Sequence, residues 1–202
     1  MTADSPTPSD ADRARAETLL PLDAESLFAF VGDVERLIRL NPHLEIETWQ
    51  NLPGGFRLAA LNEMSGLRVD TAAQIEHAAD MRSIAIRYQT GLKRATTIMV
   101  EPDPDGAGSR LVVLEDYPVI ESAEDPRLAE VDRSLVPWVA AIRRHLLARV
   151  RWSRLPGWHW WNERFMPGMP PRHRRIVRMI VWASVFEFVI FLMLIAVLYF
   201  SL

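Results

Sequence analysis

The chain has 202 residues, with 23 basic and 26 acidic side chains for a net charge of −3, and it contains no cysteine. The lack of cysteine excludes a disulfide framework and a thiol nucleophile. The five histidines, at positions 43, 77, 145, 159 and 173, lack the close spacing of a zinc site, and there is neither a glycine-rich phosphate loop nor a G-x-S-x-G turn. We therefore expect no metal and find no catalytic motif.

The amino-terminal residues 1–14 are polar, acidic and proline-containing, the reverse of a signal peptide, and predict a disordered tail. A single domain is expected over residues 15–154, because about 140 residues are enough to enclose one core. Its first strand is predicted over residues 15–22. Two short helices follow, with Asp23 as the N-cap, a division near Gly32 and a stop at Pro42.

From Leu44 to Pro118 the hydrophobic period changes from helical to two residues. The clearest alternation runs from Leu67 to Ile75, with polar or small side chains at the positions between. Short turn sequences such as NLPGG and DPDGAGS separate the segments. This pattern predicts six strands in an antiparallel meander.

Helical spacing returns over residues 125–152. Apolar side chains recur every three or four positions, for example at Leu128, Leu135 and Trp138. Pro137 lies within this stretch and predicts a kink. The domain is therefore expected to end in one long helix.

One strand, two small helices, a six-stranded meander and a long final helix form a layout that resembles the START-like superfamily. This superfamily, also called SRPBCC, includes polyketide cyclase/dehydrase-like and coenzyme-Q-binding proteins. The stretch AESLFAFVGDVERLIRLNPHLE looks like its usual opening. The resemblance covers about residues 15–154 and implies an α+β helix-grip fold, in which a curved seven-stranded antiparallel sheet surrounds the long helix.

The resemblance implies an apolar cavity between sheet and helix, which in the family holds lipids, sterols, quinones or polyketides. Strand alternation and helical spacing give the candidate lining residues, although the same spacing also suits simple core packing. The candidates are Trp49, Phe56, Leu58, Ile84, Ile86, Tyr88, Met99, Val113, Tyr117, Trp138 and Ile142. No cofactor is expected beyond a bound lipid or quinone.

Family cyclases and dehydratases use scattered acids, bases and hydroxyl groups in the cavity, without a shared sequence motif. Side chains of those types here are His43, Glu45, Tyr88, Glu115 and Tyr117. A catalytic acid or base needs both a cavity position and a perturbed pKa, and the sequence shows neither. We assign no catalytic residue, and enzymatic activity is the least favoured of the interpretations.

Residues 155–175 form a segment rich in tryptophan, proline and arginine. Its aromatic rings suit the boundary between hydrocarbon and headgroups. Alternatively, the rings cover the base of the domain itself. Pro167, Pro170 and Pro171 are expected to end any helix there. The predicted interface residues are Trp152, Trp158, Trp160, Trp161, Arg172, Arg174, Arg175 and Arg178.

Residues 176–202 predict a transmembrane helix. The 24 residues from Met179 to Leu202 include only one charged residue, Glu187, and would be roughly 36 Å long as a helix. The alternative is an apolar helix packed inside the globule. A carboxylate in lipid is costly, so we expect Glu187 to contact a partner helix from another subunit or a second copy. The alternative is that Glu187 is protonated and tolerated in the bilayer.

Charge is strongly segregated along the chain. Residues 1–142 hold 13 basic and 24 acidic side chains, a net charge of −11, whereas residues 143–178 hold 10 basic and 1 acidic, a net charge of +9. Basic residues beside a spanning helix stay on the cytoplasmic side and attract anionic lipids. We therefore expect a single-pass, tail-anchored membrane protein with a cytoplasmic domain, at the inner membrane if the source is bacterial, and no nucleic-acid partner.

Two functional interpretations follow from these features. In the first, a membrane-tethered domain binds or transfers an apolar molecule such as a lipid, quinone or sterol. In the second, the domain is an accessory or assembly subunit of a membrane complex and docks through its transmembrane helix. An open cavity would favour the first interpretation, and a packed interior the second.

Overall fold

A computed structural model describes residues 13–78, 80–106, 108–118 and 133–201. These residues form an α+β fold in which seven strands make one antiparallel sheet. In chain order the elements are β1 (Arg13–Leu20), α1 (Ala24–Val31), α2 (Val34–Arg39), β2 (Leu44–Leu52), β3 (Gly55–Asn62), β4 (Arg68–Ala78), β5 (Ser83–Tyr88), β6 (Ala95–Pro102), β7 (Ser109–Asp116), α3 (Leu135–Trp152), a π-helix (Trp160–Phe165) and α4 (Pro171–Ser201).

The sheet confirms the predicted meander. Its strand order is β1-β7-β6-β5-β4-β3-β2, so each strand from β2 to β7 pairs with its neighbour in the chain. The first strand closes the other end by pairing with β7, from Arg13 opposite Asp116 to Leu20 opposite Ser109. One irregularity interrupts β2, where the register shifts between Ile46 and Thr48. Such a bulge bends the strand and increases the twist of the sheet.

Two aspartates set the start of the short helices between β1 and β2. The Asp23 carboxylate accepts a hydrogen bond from the Ser26 amide at 2.8 Å, and Asp33 accepts one from the Arg36 amide at 3.0 Å. Each bond satisfies an amide that has no acceptor within its own helix. The division predicted near Gly32 therefore lies where α1 ends and the cap of α2 begins.

The core lies between the inner face of the sheet and the helices α1, α2 and α3. Inward side chains of the strands, such as Phe56, Ile86 and Val113, are fully buried. The long helix α3 adds Trp138 and Ile142 to the same cluster. This arrangement is the helix-grip layout that the sequence pattern predicts.

Both ends of the predicted first strand are displaced by two residues. The strand runs over Arg13–Leu20 instead of 15–22, because Arg13 and Ala14 pair with Asp116 and Glu115 of β7. Pro21 follows and has no amide proton to donate to the ladder. The predicted tail is therefore too long by two residues, and its residues 1–12 lie outside the described residues.

The predicted kink at Pro137 is wrong. Helix α3 begins at Leu135, so Pro137 occupies its first turn, where a missing amide proton breaks no intrahelical bond. The predicted earlier part of this helix, including Leu128, lies outside the described residues.

Helix α4 begins earlier than predicted. Pro171, expected to end a helix, is instead its first residue, which is a favourable position for proline. The helix then continues without interruption to Ser201. Its basic first turns and its apolar stretch therefore belong to one continuous helix.

Candidate functional site

A cavity of about 390 Å³ lies between the inner face of the sheet, the end of α2 and the start of α3. Leu58 of β3, Tyr88 of β5 and Trp138 of α3 are three of the predicted lining residues that surround it. The Trp138 indole is fixed as one wall, because its Nε1 donates a hydrogen bond to the Leu37 carbonyl at 2.8 Å. The other lining residues are Ile38, Asn41, Leu44, Asn62, Ser65, Leu67, Arg68, Val69, Asp70, Thr71, Thr90, Gly91, Leu92 and Lys93.

Most of the remaining predicted lining residues fill the core instead of the cavity. Phe56, Ile84, Ile86, Val113 and Ile142 are all fully buried in the hydrophobic cluster. They face the same interior as the cavity, but neighbouring side chains cover them.

Trp49 and Met99 also lie away from the cavity, for different reasons. The Trp49 ring stacks on Phe56 with the centroids 4.2 Å apart, at the side of the core. Met99 pairs with Val112, whereas its inward neighbour Ile98 pairs with Val113. Paired residues share a face of the sheet, so Met99 faces the opposite side and does not line the cavity, whereas Ile98 is buried in the core.

A polar cluster lies at the β5–β6 end of the cavity. The Lys93 ammonium contacts the Glu115 carboxylate at 2.5 Å, and the Tyr117 hydroxyl donates to the other oxygen of Glu115 at 2.7 Å. Glu115 is only 1% exposed, so its carboxylate is shielded from water, whereas the Lys93 side chain is 20% exposed. The Tyr88 hydroxyl lies 3.2 Å from the Thr96 hydroxyl, next to Glu115 in the sheet register.

This cluster unites three of the five residues considered as acids or bases. Tyr88, Glu115 and Tyr117 come together through neighbouring strands, whereas His43 and Glu45 do not line the cavity. Tyr117, also a predicted lining residue, reaches the cluster and not the cavity wall. The sequence pattern did not predict Lys93, because Lys93 lies in the connection between β5 and β6. No periodicity there indicates the direction of a side chain.

A second cavity, of about 450 Å³, lies between α1 and the end of α3, and none of its described lining residues belongs to the sheet. Its lining includes the Phe30 ring and the guanidinium groups of Arg36 and Arg149, which lie 4.5 and 6.0 Å from the centroid of that ring. Arg36 also contacts Asp33, and Arg149 contacts Glu163, each at 3.4 Å. The arginines here are thus already engaged with acids and an aromatic ring.

The tryptophan-rich segment packs partly on the domain. Trp158 is half-buried beside His145, with the ring centroids 6.2 Å apart, whereas Trp160 is 58% exposed and stacks on Phe165. Trp161 also contacts Phe165, and Trp152 carries the Arg151 guanidinium 5.0 Å above its ring. Part of the segment therefore covers the base of the domain, and part presents aromatic surface to the surroundings.

His145 is partly buried beneath this segment, between the rings of Phe30 and Trp158. Burial lowers the pKa of His145 to about 4, against the opposing effect of Glu163 and with the support of the charges of Arg36, Arg149 and Arg178. Within the described residues its Nε2 is buried without a hydrogen-bond partner. A neutral, apolar role for this side chain follows.

The start of α4 is fixed against the domain next to the cavity mouth. The Arg174 guanidinium donates to the Arg39 carbonyl at 2.6 Å, and Arg175 forms an ion pair with Glu63. Glu63 lies in the β3–β4 turn, directly after Asn62, which lines the cavity. Arg172 and Arg178, the other predicted interface arginines, are exposed on the same helix.

Helix α4 is long and apolar enough to span a membrane, and its apolar stretch is not buried within the described structure. A core helix would be covered by the domain, so the alternative of an internal packed helix is not supported. Glu187 is exposed in the middle of this stretch, between Phe186 and Phe188.

No family model matches the chain, and no curated protein matches it by sequence. Among solved structures, the Zhui aromatase/cyclase from Streptomyces sp. R1128 has 16% identity and a TM-score of 0.54, over 70% of this chain and 97% of that chain. TTHA0849 from Thermus thermophilus has 18% identity and a TM-score of 0.51, over 67% of this chain and 97% of that chain. The di-domain aromatase/cyclase BexL from the BE-7585A biosynthetic pathway has 19% identity and a TM-score of 0.50, over 68% of this chain and 47% of that chain. At these identities the similarities show a shared fold, and they do not show a shared activity.

Proposed function

We propose that this chain, which has the helix-grip fold of START-like proteins, is a membrane-anchored domain that binds or transfers an apolar molecule such as a lipid, quinone or sterol-like compound. The observation that carries the proposal is the cavity of about 390 Å³ inside the grip. Its volume lies within the range of about 300 to 1,000 Å³ typical of small-molecule sites.

The chemistry of the walls favours a mostly apolar ligand with one polar group. Leu58, Val69 and Trp138 supply apolar and aromatic surface. At one end lie the Lys93 ammonium and the Tyr88 hydroxyl, which contact Glu115 and Thr96 and make this end of the cavity suited to a carbonyl, hydroxyl or phenolic oxygen of the ligand. Such a site binds through shape and desolvation and uses the polar end for orientation.

The position of α4 supports delivery from a bilayer. The contacts of Arg174 and Arg175 hold the first turns of the helix against the end of α2 and the β3–β4 turn, next to the cavity mouth. Met64 and Leu67 are exposed apolar side chains at that turn. A ligand dissolved in the membrane would therefore meet the mouth close to the headgroup region.

The arginines around the start of α4 support an orientation for this anchor. Arg164, Arg172, Arg174, Arg175 and Arg178 all lie within about 15 to 20 residues of the apolar stretch, where basic residues are retained in the cytoplasm. The domain would then be cytoplasmic, at the inner membrane if the source is bacterial.

The test is to identify small molecules that copurify with the full chain in detergent, by solvent extraction and mass spectrometry. Val69 faces the cavity from β4, so Val69→Trp should fill part of it and remove most of the bound apolar compound. Ala59 faces the other side of the neighbouring strand, opposite Asp70, so Ala59→Trp should leave binding unchanged.

Equal retention of the same compound by both variants would contradict binding in this cavity. A wild-type preparation that yields no enriched apolar compound from its native membrane would contradict the proposal as a whole. Far-ultraviolet circular dichroism and melting curves of both variants would show that loss of binding does not follow from unfolding.

A second candidate function is an accessory or assembly subunit of a membrane complex. The observation in its favour is Glu187, an exposed carboxylate in the middle of the apolar stretch of α4. A carboxylate inside a bilayer usually faces a polar cavity or a partner helix. Catalysis of a cyclase or dehydratase type has less support, because Glu115 is already engaged by Lys93 and Tyr117.

A further inference from the structure

The second cavity, between α1 and the end of α3, has charged walls of a single sign. Its volume of about 450 Å³ lies within the range of about 300 to 1,000 Å³ typical of small-molecule sites. Among the described residues that line it, only Arg36 and Arg149 are charged. Their acidic partners, Asp33 and Glu163, are also described by the structure and do not line the cavity. Its described walls therefore present two cations and no carboxylate to a molecule that enters.

One aromatic ring brings the two guanidinium groups together. The guanidinium carbons of Arg36 and Arg149 lie 4.5 and 6.0 Å from the centroid of the Phe30 ring. Phe30 lines the same cavity and is only 3% exposed. Contact with the face of a buried ring attracts both cations and limits their movement. The two positive groups, one from α2 and one from α3, are therefore held in the same region of the cavity wall.

Most of the hydrogen-bond donors of these two groups are not used inside the protein. The shortest contact from Arg36 to Asp33, and from Arg149 to Glu163, is 3.4 Å and runs from Nε. A charge-assisted hydrogen bond is shorter, at about 2.7 to 2.9 Å. Within the described residues neither arginine side chain donates a hydrogen bond, and the buried Nε of Arg36 has no acceptor. A guanidinium group has several N–H donors, so a ligand in this cavity would find most of them available.

The remaining walls determine which kind of anion fits. Ser26 and Ser153 add hydroxyl groups, but most of the other side chains are apolar. An inorganic ion would leave this apolar surface in contact with water, whereas an organic anion would cover it. A planar carboxylate also matches the paired N–H groups of a guanidinium. The apolar lining residues are Leu22, Ala29, Phe30, Leu146 and Val150.

We propose that this cavity binds an organic carboxylate, with the carboxylate on Arg36 and Arg149 and a short apolar body against the side chains of α1 and α3. The site is separate from the cavity inside the grip, because the two share no described lining residue. The inference goes beyond the proposed function, and it depends on neither the apolar ligand nor the membrane anchor.

The experiment measures the binding of hexanoate to the full chain in neutral detergent by isothermal titration calorimetry, with detergent alone as the blank. Hexanol has the same chain length without the charge, and inorganic phosphate has charge without an apolar body. We expect binding of hexanoate and of neither other compound at the same concentration. Absence of hexanoate binding would overturn the site. Equal binding of hexanol would overturn the role of the arginines, and equal binding of phosphate would overturn the organic ligand.

A matched pair of variants on α3 tests the role of the guanidinium groups. Arg149→Gln should weaken hexanoate binding about tenfold, because it removes one cation and its paired donors. Arg143→Gln makes the same change at an exposed position of the same helix that does not line the cavity. This control should bind hexanoate as the wild type does. Equal weakening in both variants would overturn the site in favour of general charge attraction.

Two further variants locate the bound hexanoate. Ala29 is exposed and lines the cavity from α1, so Ala29→Leu should fill part of the cavity, preserve the helix and weaken binding. Val69→Trp, inside the grip, should leave hexanoate binding unchanged. Unchanged binding in Ala29→Leu, or loss of binding in Val69→Trp alone, would overturn the assignment to this cavity. Melting curves of each variant would show that weaker binding does not follow from unfolding.

Discussion

His145 shows how a single partly buried side chain couples stability to pH. It lies between Phe30 and Trp158, with ring centroids 5.7 and 6.2 Å away, and burial lowers the pKa of its imidazole to about 4. The unfolded chain, with a pKa near 6.5, binds this proton more tightly than the folded chain does. The contribution of neutral His145 to the free energy of unfolding is therefore fully present above about pH 6.5. This contribution decreases as the pH falls toward 4.

We expect the free energy of unfolding to fall by roughly 3 kcal/mol across this range from His145 alone, at 1.36 kcal/mol per pKa unit. His145→Phe keeps an aromatic ring between Phe30 and Trp158 and removes the titration. Urea unfolding at several pH values should then show a flatter dependence, relative to the control His77→Gln at an exposed strand position. An unchanged slope would contradict the buried, neutral histidine.

At the same scale, cavity residues could be predicted from the sequence only on strands and helices, where the periodicity indicates the direction of each side chain. Leu58 and Tyr88 lie on strands and Trp138 on a helix, and alternation or helical spacing was enough to predict them. Asn41 and Lys93 lie in connections, and the pairing of β6 with β7 brings Lys93 next to Glu115. Met99 was misplaced because the inward positions of β6 are the even-numbered ones, starting at Thr96.

Among the elements, α4 combines two environments in one uninterrupted helix. Its first turns carry basic side chains that contact the domain, and the remaining turns are apolar and uncovered. The sequence predicted the apolar part because its composition alone is distinctive. It did not predict the earlier start, since a proline can either end a helix or occupy its first turn.

Insertion of α4 into a bilayer predicts sensitivity to charge at its centre. Val189→Lys with Leu192→Lys should shift most of the protein from the carbonate-resistant membrane pellet to the supernatant, because each central lysine costs about 3 kcal/mol on insertion scales. Met179→Lys should remain in the pellet, since a lysine at the edge can extend to the headgroups. Equal pelleting of the double variant and wild type would contradict insertion.

At the scale of the whole molecule, the order in which the hydrophobic periods follow one another along the chain was sufficient to predict the fold. A period of two from residue 44 to residue 118 predicts the meander, and helical spacing on either side predicts the helices that pack on it. The cavity volume depends on how tightly side chains from six helices and strands and from their connections pack together. Periodicity in the sequence does not predict that volume. It therefore could not distinguish Ile84 and Ile142, which fill the core, from Leu58, which lines the cavity.

Glu187 carries the prediction about assembly. Glu187→Leu should abolish crosslinking of α4 to another membrane helix, because it removes the carboxylate that favours a polar contact in lipid. Crosslinking followed by mass spectrometry of the membrane fraction would identify the captured helix, whether from a second copy or from another subunit. Phe186→Leu, an adjacent apolar change, should leave the crosslinks intact, and equal crosslinking of Glu187→Leu would exclude this role.

The two edge strands of the sheet affect whether copies of this domain can associate through their sheets. The last strand on one side, β2, is broken in register between Ile46 and Thr48, and the strand on the other side, β1, places Arg13, Arg15 and Glu17 along its length. Irregular or charged edges are poor templates for a further strand. Copies of the chain concentrated in one bilayer, as the proposed anchoring implies, would thus remain separate and would not join edge to edge into a fibre.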